Sequence, residues 1–275
     1  MSIKVSIDAS GGDFGFPVTI NAGINALKVY DDLLINFVGD KAGIENELKN
    51  NTLASKFSNR IVITHASEVI NMDDSPSVAL RHKKDSSMRV AINLVKNGEA
   101  DACVSAGNTG ALMSIARFVL KTISGVDRPA IMSAVPTLTG PTHVLDLGAN
   151  IDSKPSTLLQ FAIMGSVAVQ NTEKIDNPSV GLLNVGTEEL KANEKSQETS
   201  ELLKNSSLNY IGFVEGDDIY KGNVDVIVCD GFEGNIALKA SEGVAKMFSF
   251  FIKKSFTKNV FTLSLIHISE PTRPY

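Results

Sequence analysis

Short apolar runs alternate with longer helical patterns along almost the whole chain, and this alternation constrains the fold more than any other feature. The strand candidates are Ile3–Asp8, Leu33–Val38, Ile61–His65, Ala102–Ala106, Ala130–Val135, His143–Leu147, Val180–Val185, Tyr210–Val214 and Val224–Asp230. Several are apolar at nearly every position, which is typical of strands buried on both faces of a parallel sheet. Between them, Pro155–Val169 places apolar residues on one helical face. The alternation predicts an α/β fold with an open, mostly parallel, doubly wound sheet.

Composition excludes several classes of protein. The 275 residues are 43% hydrophobic with a mean hydropathy of +0.06, which excludes a disordered chain. The net charge is −5 and Trp is absent, so no nucleic-acid partner is expected. The sequence has no secretory leader pattern and no apolar run long enough to span a membrane. Cys103 and Cys229 lie in apolar runs and are expected to be buried, unreactive thiols of a cytoplasmic protein.

No internal repeat or low-complexity linker divides the sequence. The stretch Val126–Pro129 is compatible with a domain boundary, but its residues are equally typical of an ordinary loop. We therefore treat residues 1–262 as a single α/β domain. The polar stretch Thr187–Asn205 is interpreted as an exposed helix with mixed charges.

Polar, glycine-bearing loops follow the strands at the edge where open α/β sheets bind ligands. Two of these loops lie in the first half of the chain. In the first, the paired glycines allow a sharp turn or a close approach of the backbone to a ligand. In the second, the free N–H groups of the following helix could bind an anion, and Asn108 or Thr109 could cap that helix. Taken singly, each loop is equally well explained as a turn or a cap. The residues of interest are Asp8, Gly11, Gly12, Asp13, Ser105, Gly107, Asn108 and Thr109.

Two further loops, in the second half, each combine a carboxylate, a glycine and an asparagine. They contain Asp146 with Asn150, and Asp230 with Asn235, which is a candidate helix cap. Lys191 is expected in the first turns of a helix, where a lysine neutralises a phosphate or polarises a carbonyl. The sequence contains no P-loop, no dinucleotide-binding fingerprint and no nucleophile elbow.

Taken together, these loops resemble the bacterial phosphate acyltransferase family called PlsX. The resemblance runs in order from about Ile3 to about Phe251, through Asp8, Gly11-Gly12-Asp13, Arg81 with Ser86-Ser87-Met88, Ser105-Ala106-Gly107-Asn108-Thr109-Gly110-Ala111, Arg128-Pro129-Ala130, Asp146-Leu147-Gly148-Ala149-Asn150, Phe161-Ala162-Ile163-Met164-Gly165-Ser166, Leu183-Asn184-Val185-Gly186-Thr187-Glu188, and Asp230-Gly231-Phe232 with Gly234-Asn235 and Leu238-Lys239. It implies a homodimer with a fold like that of isocitrate and isopropylmalate dehydrogenases. It also implies transfer of a long acyl chain from acyl carrier protein to inorganic phosphate, giving acyl phosphate for phospholipid synthesis, with no redox cofactor and no metal.

In this reaction phosphate itself attacks the thioester, so no Ser or Cys nucleophile is required. The resemblance makes Lys191 and Asn235 the expected catalytic groups and the turn from Gly107 to Thr109 the expected phosphate cradle. The other residues of interest are expected to bind substrate. The aspartates Asp8, Asp146 and Asp230 either orient Lys191 or Lys239, or accept a proton from phosphate.

The segment Lys246–Phe261 is rich in Phe and Lys, with apolar residues on most sides of a helix. The resemblance implies that it contacts a second subunit and an anionic membrane surface, which would place the enzyme peripherally at the inner face of the cell membrane. A downstream membrane acyltransferase is a further expected partner. An ordinary core helix explains the apolar pattern equally well.

Three departures from the family pattern stand out. Ser10 occupies a position where the family usually has Met, and Ala192 one where it usually has Gly, which would tighten the turn near Lys191 if that backbone needed a positive φ. Residues 263–275 share no motif with the family, so we interpret them as translated vector sequence on a truncated chain.

Two other functions remain as alternatives. The first is a dehydrogenase of the related fold, with Asp146, Asp152 and Asp230 as metal ligands. The second is a membrane-associated scaffold of lipid synthesis that uses Lys246–Phe261.

Overall fold

Nine strands and eight α-helices alternate within residues 2–256, the part of the chain that the computed structural model describes. The strands are β1 (Ile3–Asp8), β2 (Leu33–Gly39), β3 (Ile61–His65), β4 (Ala102–Ser105), β5 (Met132–Pro136), β6 (Pro141–Leu145), β7 (Ser179–Leu183), β8 (Asn209–Val214) and β9 (Val226–Val228). The helices are α1 (Phe16–Val29), α2 (Lys41–Asn50), α3 (Pro76–His82), α4 (Ser87–Lys96), α5 (Thr109–Leu120), α6 (Pro155–Thr172), α7 (Glu194–Lys204) and α8 (Gly231–Phe256). Every predicted strand is present, and the predicted α/β class is confirmed.

The chain divides into two compact units, residues 1–129 and 130–275. The division falls beside Val126–Pro129, the stretch in which the sequence is compatible with a boundary. That residues 1–262 act as a single acyltransferase domain stays a prediction.

The first unit contains a four-stranded sheet in the order β3-β2-β1-β4, with every neighbouring pair parallel. Helices α1 and α2 pack over an apolar cluster that includes the fully buried side chains of Ile20, Ile24 and Phe37. The register pairs Asp8 with Ser105 at the carboxyl ends of β1 and β4. Two of the expected site residues therefore lie side by side.

The second unit contains a five-stranded sheet in the order β5-β6-β9-β7-β8. The pair β5–β6 is antiparallel and the other pairs are parallel. The strands thus form two mostly parallel sheets, whereas the sequence predicted one. The short connection between Pro136 and Pro141 closes a hairpin, which makes β5 an antiparallel edge strand of the second sheet.

Two helix predictions need correction. Asn193 accepts a hydrogen bond from the Ser196 amide at 2.8 Å and so caps α7, which begins at Glu194. Lys191 therefore lies in a separate 3₁₀ turn, Glu189–Lys191, and not in the first turns of a longer helix. Asn235 is not a helix cap, because α8 begins at Gly231 and Asn235 lies in its second turn.

Helix α8 contains much of the segment predicted to contact a membrane. Met247, Phe248, Phe250, Phe251 and Ile252 are about half exposed along it. Residues 257–261 of that segment, and the segment 263–275, lie outside the described residues. No helix within residues 2–256 combines the length and apolarity needed to cross a bilayer.

Candidate functional site

In the first unit, the loops after β1 and β4 are joined by a buried carboxylate. The Ser105 hydroxyl donates a hydrogen bond of 2.6 Å to Oδ2 of Asp8, and the Gly107 amide donates one of 3.0 Å to the Ser105 oxygen. Both interactions follow from the register that sets Asp8 opposite Ser105. Since the Gly107 amide is engaged within the protein, the predicted phosphate cradle loses one of its donors.

The paired glycines allow these two loops to approach each other. A Cβ on Gly11 would lie 2.4 Å from Oδ2 of Asp8, and one on Gly12 would lie 2.9 Å from the carbonyl oxygen of Ala106. Gly12 also has a φ of +86°, a conformation that disfavours other residues. The glycine pair is therefore a packing requirement of the site. Asp13, which follows, is exposed.

Asp8 is a fully buried carboxylate of the first unit. Burial raises the pKa of Asp8, and the hydrogen bond from Ser105 only partly offsets this effect. Its second oxygen, Oδ1, is buried and has no hydrogen-bond partner among the described residues. A carboxylate with a raised pKa and an open acceptor position is suited to exchanging a proton.

Asn108 is the N-cap of α5. Its side-chain oxygen accepts a hydrogen bond of 3.0 Å from the Ala111 amide, and its Nδ2 donates to the carbonyl oxygens of Met72 and Asp74, both at 2.9 Å. The side chain thus has a structural role, and fixes the loop before α3. The amides of Thr109 and Gly110 belong to the first turn of α5, where the helix itself offers no acceptor.

In the second unit, Asp146 organises its own loop. One oxygen accepts from the amides of Ile131 (2.9 Å) and Ala149 (3.1 Å), and the other accepts from the amide (2.7 Å) and side chain (2.9 Å) of Asn150. Four donors occupy the lone pairs of this fully buried carboxylate. Asp146 and Asn150 therefore shape the loop, and neither Lys191 nor Lys239 is among the donors.

Asp230, in the loop after β9, likewise accepts hydrogen bonds from several backbone amides. Its oxygens accept from the amides of Ser153 (2.6 Å), Phe232 (3.0 Å) and Asp152 (3.3 Å), and the ammonium of Lys195 lies 3.4 Å away. Burial alone would raise the pKa of Asp230, but these amides and the Lys195 charge hold it below its ordinary value. Sequence reasoning missed Lys195, because nothing in the polar stretch around it distinguishes it from a solvated lysine.

The first turns of α8 press against the loop that Asp146 organises. A Cβ on Gly231 would lie 2.2 Å from the carbonyl oxygen of Asn150, and one on Gly234 would lie 1.9 Å from that of Asp146. Gly148 has a φ of +113°, and a Cβ added to it would lie 3.2 Å from the Cβ of Asn235. Asn235 is exposed and is held against this loop by the two helix glycines.

Lys191 is exposed and forms an ion pair of 2.9 Å with Glu188. The hydrogen bond and the charge of Glu188 raise the pKa of Lys191, so the side chain is a cation at neutral pH. It borders a cavity of about 420 Å³ together with Asn184, Asn193 and Glu233. Burial and the charge of Asp230 raise the pKa of Glu233, a residue that sequence reasoning also missed. The cavity brings Lys191 to the first turn of α8, although Asn235 is not part of its lining.

Neither cysteine has the surroundings of a reactive thiol. Cys229 is buried as expected, whereas Cys103 is only half-buried. Burial nevertheless raises the pKa of Cys103 to about 11 and raises that of Cys229 still further. The Cys229 thiol donates to the carbonyl oxygen of Asp146 at 3.4 Å. Thiolate nucleophiles are thus unfavourable at both positions.

The chain matches known proteins along nearly its whole length. The family model described as "Fatty acid synthesis protein" matches residues 3–272. The chain belongs to this family. The match extends into the segment 263–275, so the boundary at residue 262 stays a prediction.

Relatives in the fatty acid synthesis family are more than half identical to this chain over the aligned residues. The phosphate acyltransferase of Ruthia magnifica subsp. Calyptogena magnifica is 63% identical over 271 residues, which are 98% of this chain and 80% of that protein. The phosphate acyltransferase of Methylococcus capsulatus is 55% identical over 258 residues, which are 94% of this chain and 76% of that protein.

Solved structures of two other kinds of enzyme share the fold. The EutD phosphotransacetylase from Staphylococcus aureus superposes with a TM-score of 0.64 at 19% identity, over 89% of this chain and 83% of that one. A 4-hydroxythreonine-4-phosphate dehydrogenase from Burkholderia phymatum gives 0.52 at 16% identity, over 87% and 84%. The likeness to a dehydrogenase agrees with the fold expected from the sequence.

The structure shows the effect of one departure from the family pattern, Ala192 in place of the usual glycine. Ala192 has a φ of −80° and a ψ of 136°, an extended conformation open to any residue. Ala192 therefore does not tighten the turn near Lys191.

Two of the three metal ligands proposed for the dehydrogenase alternative, Asp146 and Asp230, are already used in hydrogen bonds within the protein. The Asp146 and Asp230 carboxylates already accept four donors each within the protein. No group of three or more His, Cys, Asp or Glu side chains suited to a metal ion occurs in the part of the chain that the structure describes.

Proposed function

We propose that this protein is a phosphate acyltransferase, which moves a long-chain acyl group from acyl carrier protein to inorganic phosphate and yields acyl phosphate for phospholipid synthesis. The observation that carries this proposal is the 63% identity, over 98% of the chain, to a protein named phosphate acyltransferase. Each unit supports it by itself: the first offers free amides at the start of α5, the second offers the Lys191 cation, and the thiols of both are unreactive.

In the proposed reaction, a phosphate oxygen attacks the thioester carbonyl carbon and forms the new C–O bond. The C–S bond then breaks, and the thiolate of the carrier leaves and takes up a proton. Negative charge develops on the carbonyl oxygen, and we assign its stabilisation to the Lys191 ammonium and the Asn235 amide. A preorganised donor of this kind contributes about a hundredfold or more to turnover.

Within the first unit, considered by itself, we propose the start of α5 as the phosphate-binding part of the chain. The amides of Thr109 and Gly110, at the start of α5, donate to phosphate oxygens, and the helix dipole favours the anion there. We assign the proton that phosphate loses to Asp8, whose pKa is raised and whose buried Oδ1 has no hydrogen-bond partner among the described residues. In the second unit, Asp146, Asn150 and Asp230 are assigned to hold their loops in place.

The experiment that tests the reaction is a phosphate-dependence assay. Purified protein with palmitoyl-acyl carrier protein should release free carrier thiol only when phosphate is present, with one acyl phosphate formed per thiol. Hydroxylamine, which traps acyl phosphates, gives an independent measure of product. Equal thiol release in phosphate-free buffer would identify a thioesterase instead.

We further propose a homodimer that associates reversibly with anionic membranes through Lys246–Phe261 and passes its product to a membrane acyltransferase. The exposed Phe248, Phe250 and Phe251 of α8 support this, and so do Lys253 and Lys254 beside them. Vesicle flotation tests it: the protein should float with anionic vesicles at low salt and remain at the bottom at high salt. A scaffold without enzymatic activity would float equally but release no thiol.

A further inference from the structure

A groove runs along α8 in the second unit, outside the cavity that contains Lys191. Its volume is about 300 Å³, and its walls are almost entirely apolar. Helix α8 supplies Ala237, Leu238, Ser241 and Ala245, which recur on one face of the helix. The opposite wall comes from β5 and from the 3₁₀ turn Asp218–Tyr220.

The floor of the groove is a packed apolar cluster that includes Val144, Leu147 and Ile219. Small side chains at Ala237, Ser241 and Ala245 leave the space open above that floor. The polar atoms of the rim satisfy one another: the Ser241 hydroxyl donates to the carbonyl oxygen of Ala237 at 2.6 Å, and the hydroxyls of Tyr220 and Ser241 are hydrogen-bonded. A ligand in the groove therefore meets hydrocarbon rather than open donors or acceptors.

One end of the groove adjoins the proposed catalytic asparagine. Leu147 lines it and directly precedes Gly148, against which Asn235 packs. The other end, at Ala245, lies two residues before the exposed apolar series that begins at Met247. From Asn235 to Ala245 the helix rises about 15 Å, a length suited to an extended chain of methylene groups.

We propose that this groove holds the acyl chain of the thioester substrate, with the carbonyl carbon at the Asn235 end and the methyl end toward Ala245. The proposal rests on the proposed function and names the part of the molecule that selects the substrate. An unbranched hydrocarbon is the occupant that fits, because the groove is almost entirely apolar and follows about two turns of α8, from Ala237 to Ala245. Each methylene that it buries should raise kcat/KM about fourfold.

Filling the groove tests the proposal. Ser241→Leu blocks its middle and Ala245→Leu blocks its far end, while Ala240→Leu places the same side chain on an exposed part of the same helix outside the groove. We expect both groove variants to lower kcat/KM for palmitoyl-acyl carrier protein at least tenfold. For butyryl-acyl carrier protein the loss should be less than twofold, and Ala240→Leu should match the wild type for both. An unchanged ratio between the two substrates in the groove variants would overturn the proposal.

A second measurement does not depend on turnover. Palmitic acid carrying a diazirine near its methyl end is photolysed with the full chain, and the labelled peptides are mapped. Label on residues 133–136, 219–220 or 237–245 supports the groove. Label confined to the larger apolar groove of the first unit, between α1 and Val104, would overturn it. If the wild type labels as expected but forms no acyl phosphate, the groove stands and the proposed reaction falls.

Discussion

Replacing Gly234 with alanine adds one methyl group at the tightest contact of the proposed site. That methyl would lie 1.9 Å from the Asp146 carbonyl oxygen and 2.8 Å from the Cys229 sulfur, whereas uncrowded heavy atoms stay about 3.5 Å apart. The start of α8 must therefore move away by more than an ångström. The carbonyl cannot yield instead, since four hydrogen bonds fix the side chain of Asp146.

The expected magnitude follows from two contributions. Overpacking costs about 1–3 kcal/mol. Better helix propensity offsets about 0.5–1 kcal/mol. We expect a net loss of about 1–2 kcal/mol, which lowers Tm by about 2–8 °C for a chain of this size.

The matched control is Gly243→Ala, in the same helix, where an added Cβ meets no atom of the described residues within 4 Å. It should gain about 0.5–1 kcal/mol from helix propensity and raise Tm slightly. Thermal unfolding followed by circular dichroism compares the variants, and the phosphate-dependence assay reports whether Asn235 has moved. Equal Tm values for Gly234→Ala and Gly243→Ala would refute the packing argument.

Three further predictions concern charge and reactivity. Lys191→Ala should lower kcat about a hundredfold or more with little change in Tm, because the side chain is exposed; Asn235→Ala should do the same, and normal kcat in both would refute the site. Asp230→Asn should destabilise the fold by about 1–2 kcal/mol at neutral pH. Since the folded pKa of Asp230 is lowered, its contribution is present above the unfolded value of about 3.9 and is lost as pH falls below it, so urea midpoints of wild type and variant should converge in acid. Cys103→Ala and Cys229→Ala should retain the reaction, and an acyl-enzyme trapped on either thiol would contradict direct attack by phosphate.

The strand ends could be predicted from the sequence because apolar runs stop abruptly at polar, glycine-bearing loops. Asp8 and Ser105 were placed together by this rule, and the register confirms it. The cap at Asn108 was also predictable, since an Asn before an apolar helical pattern is a common cap.

The details of the second unit depend on packing that periodicity does not encode. The sequence around Gly231 and Gly234 suggested a turn capped by Asn235, whereas both glycines lie inside α8 and serve close contact with another loop. The ion pair of Lys195 with Asp230 joins residues 35 positions apart. Such a contact follows only from the tertiary fold.

Helix α8 also has a mechanical consequence. Its 26 residues form a rod about 39 Å long, with no proline to bend it. One end is seated by Gly231 and Gly234, and the other carries Phe250 and Phe251. A tilt of only about 3° moves one end by about 2 Å relative to the other. A force on the phenylalanines is therefore transmitted along the helix to Gly231 and Gly234. A small displacement of these glycines changes the position of Asn235 relative to the Asp146 loop.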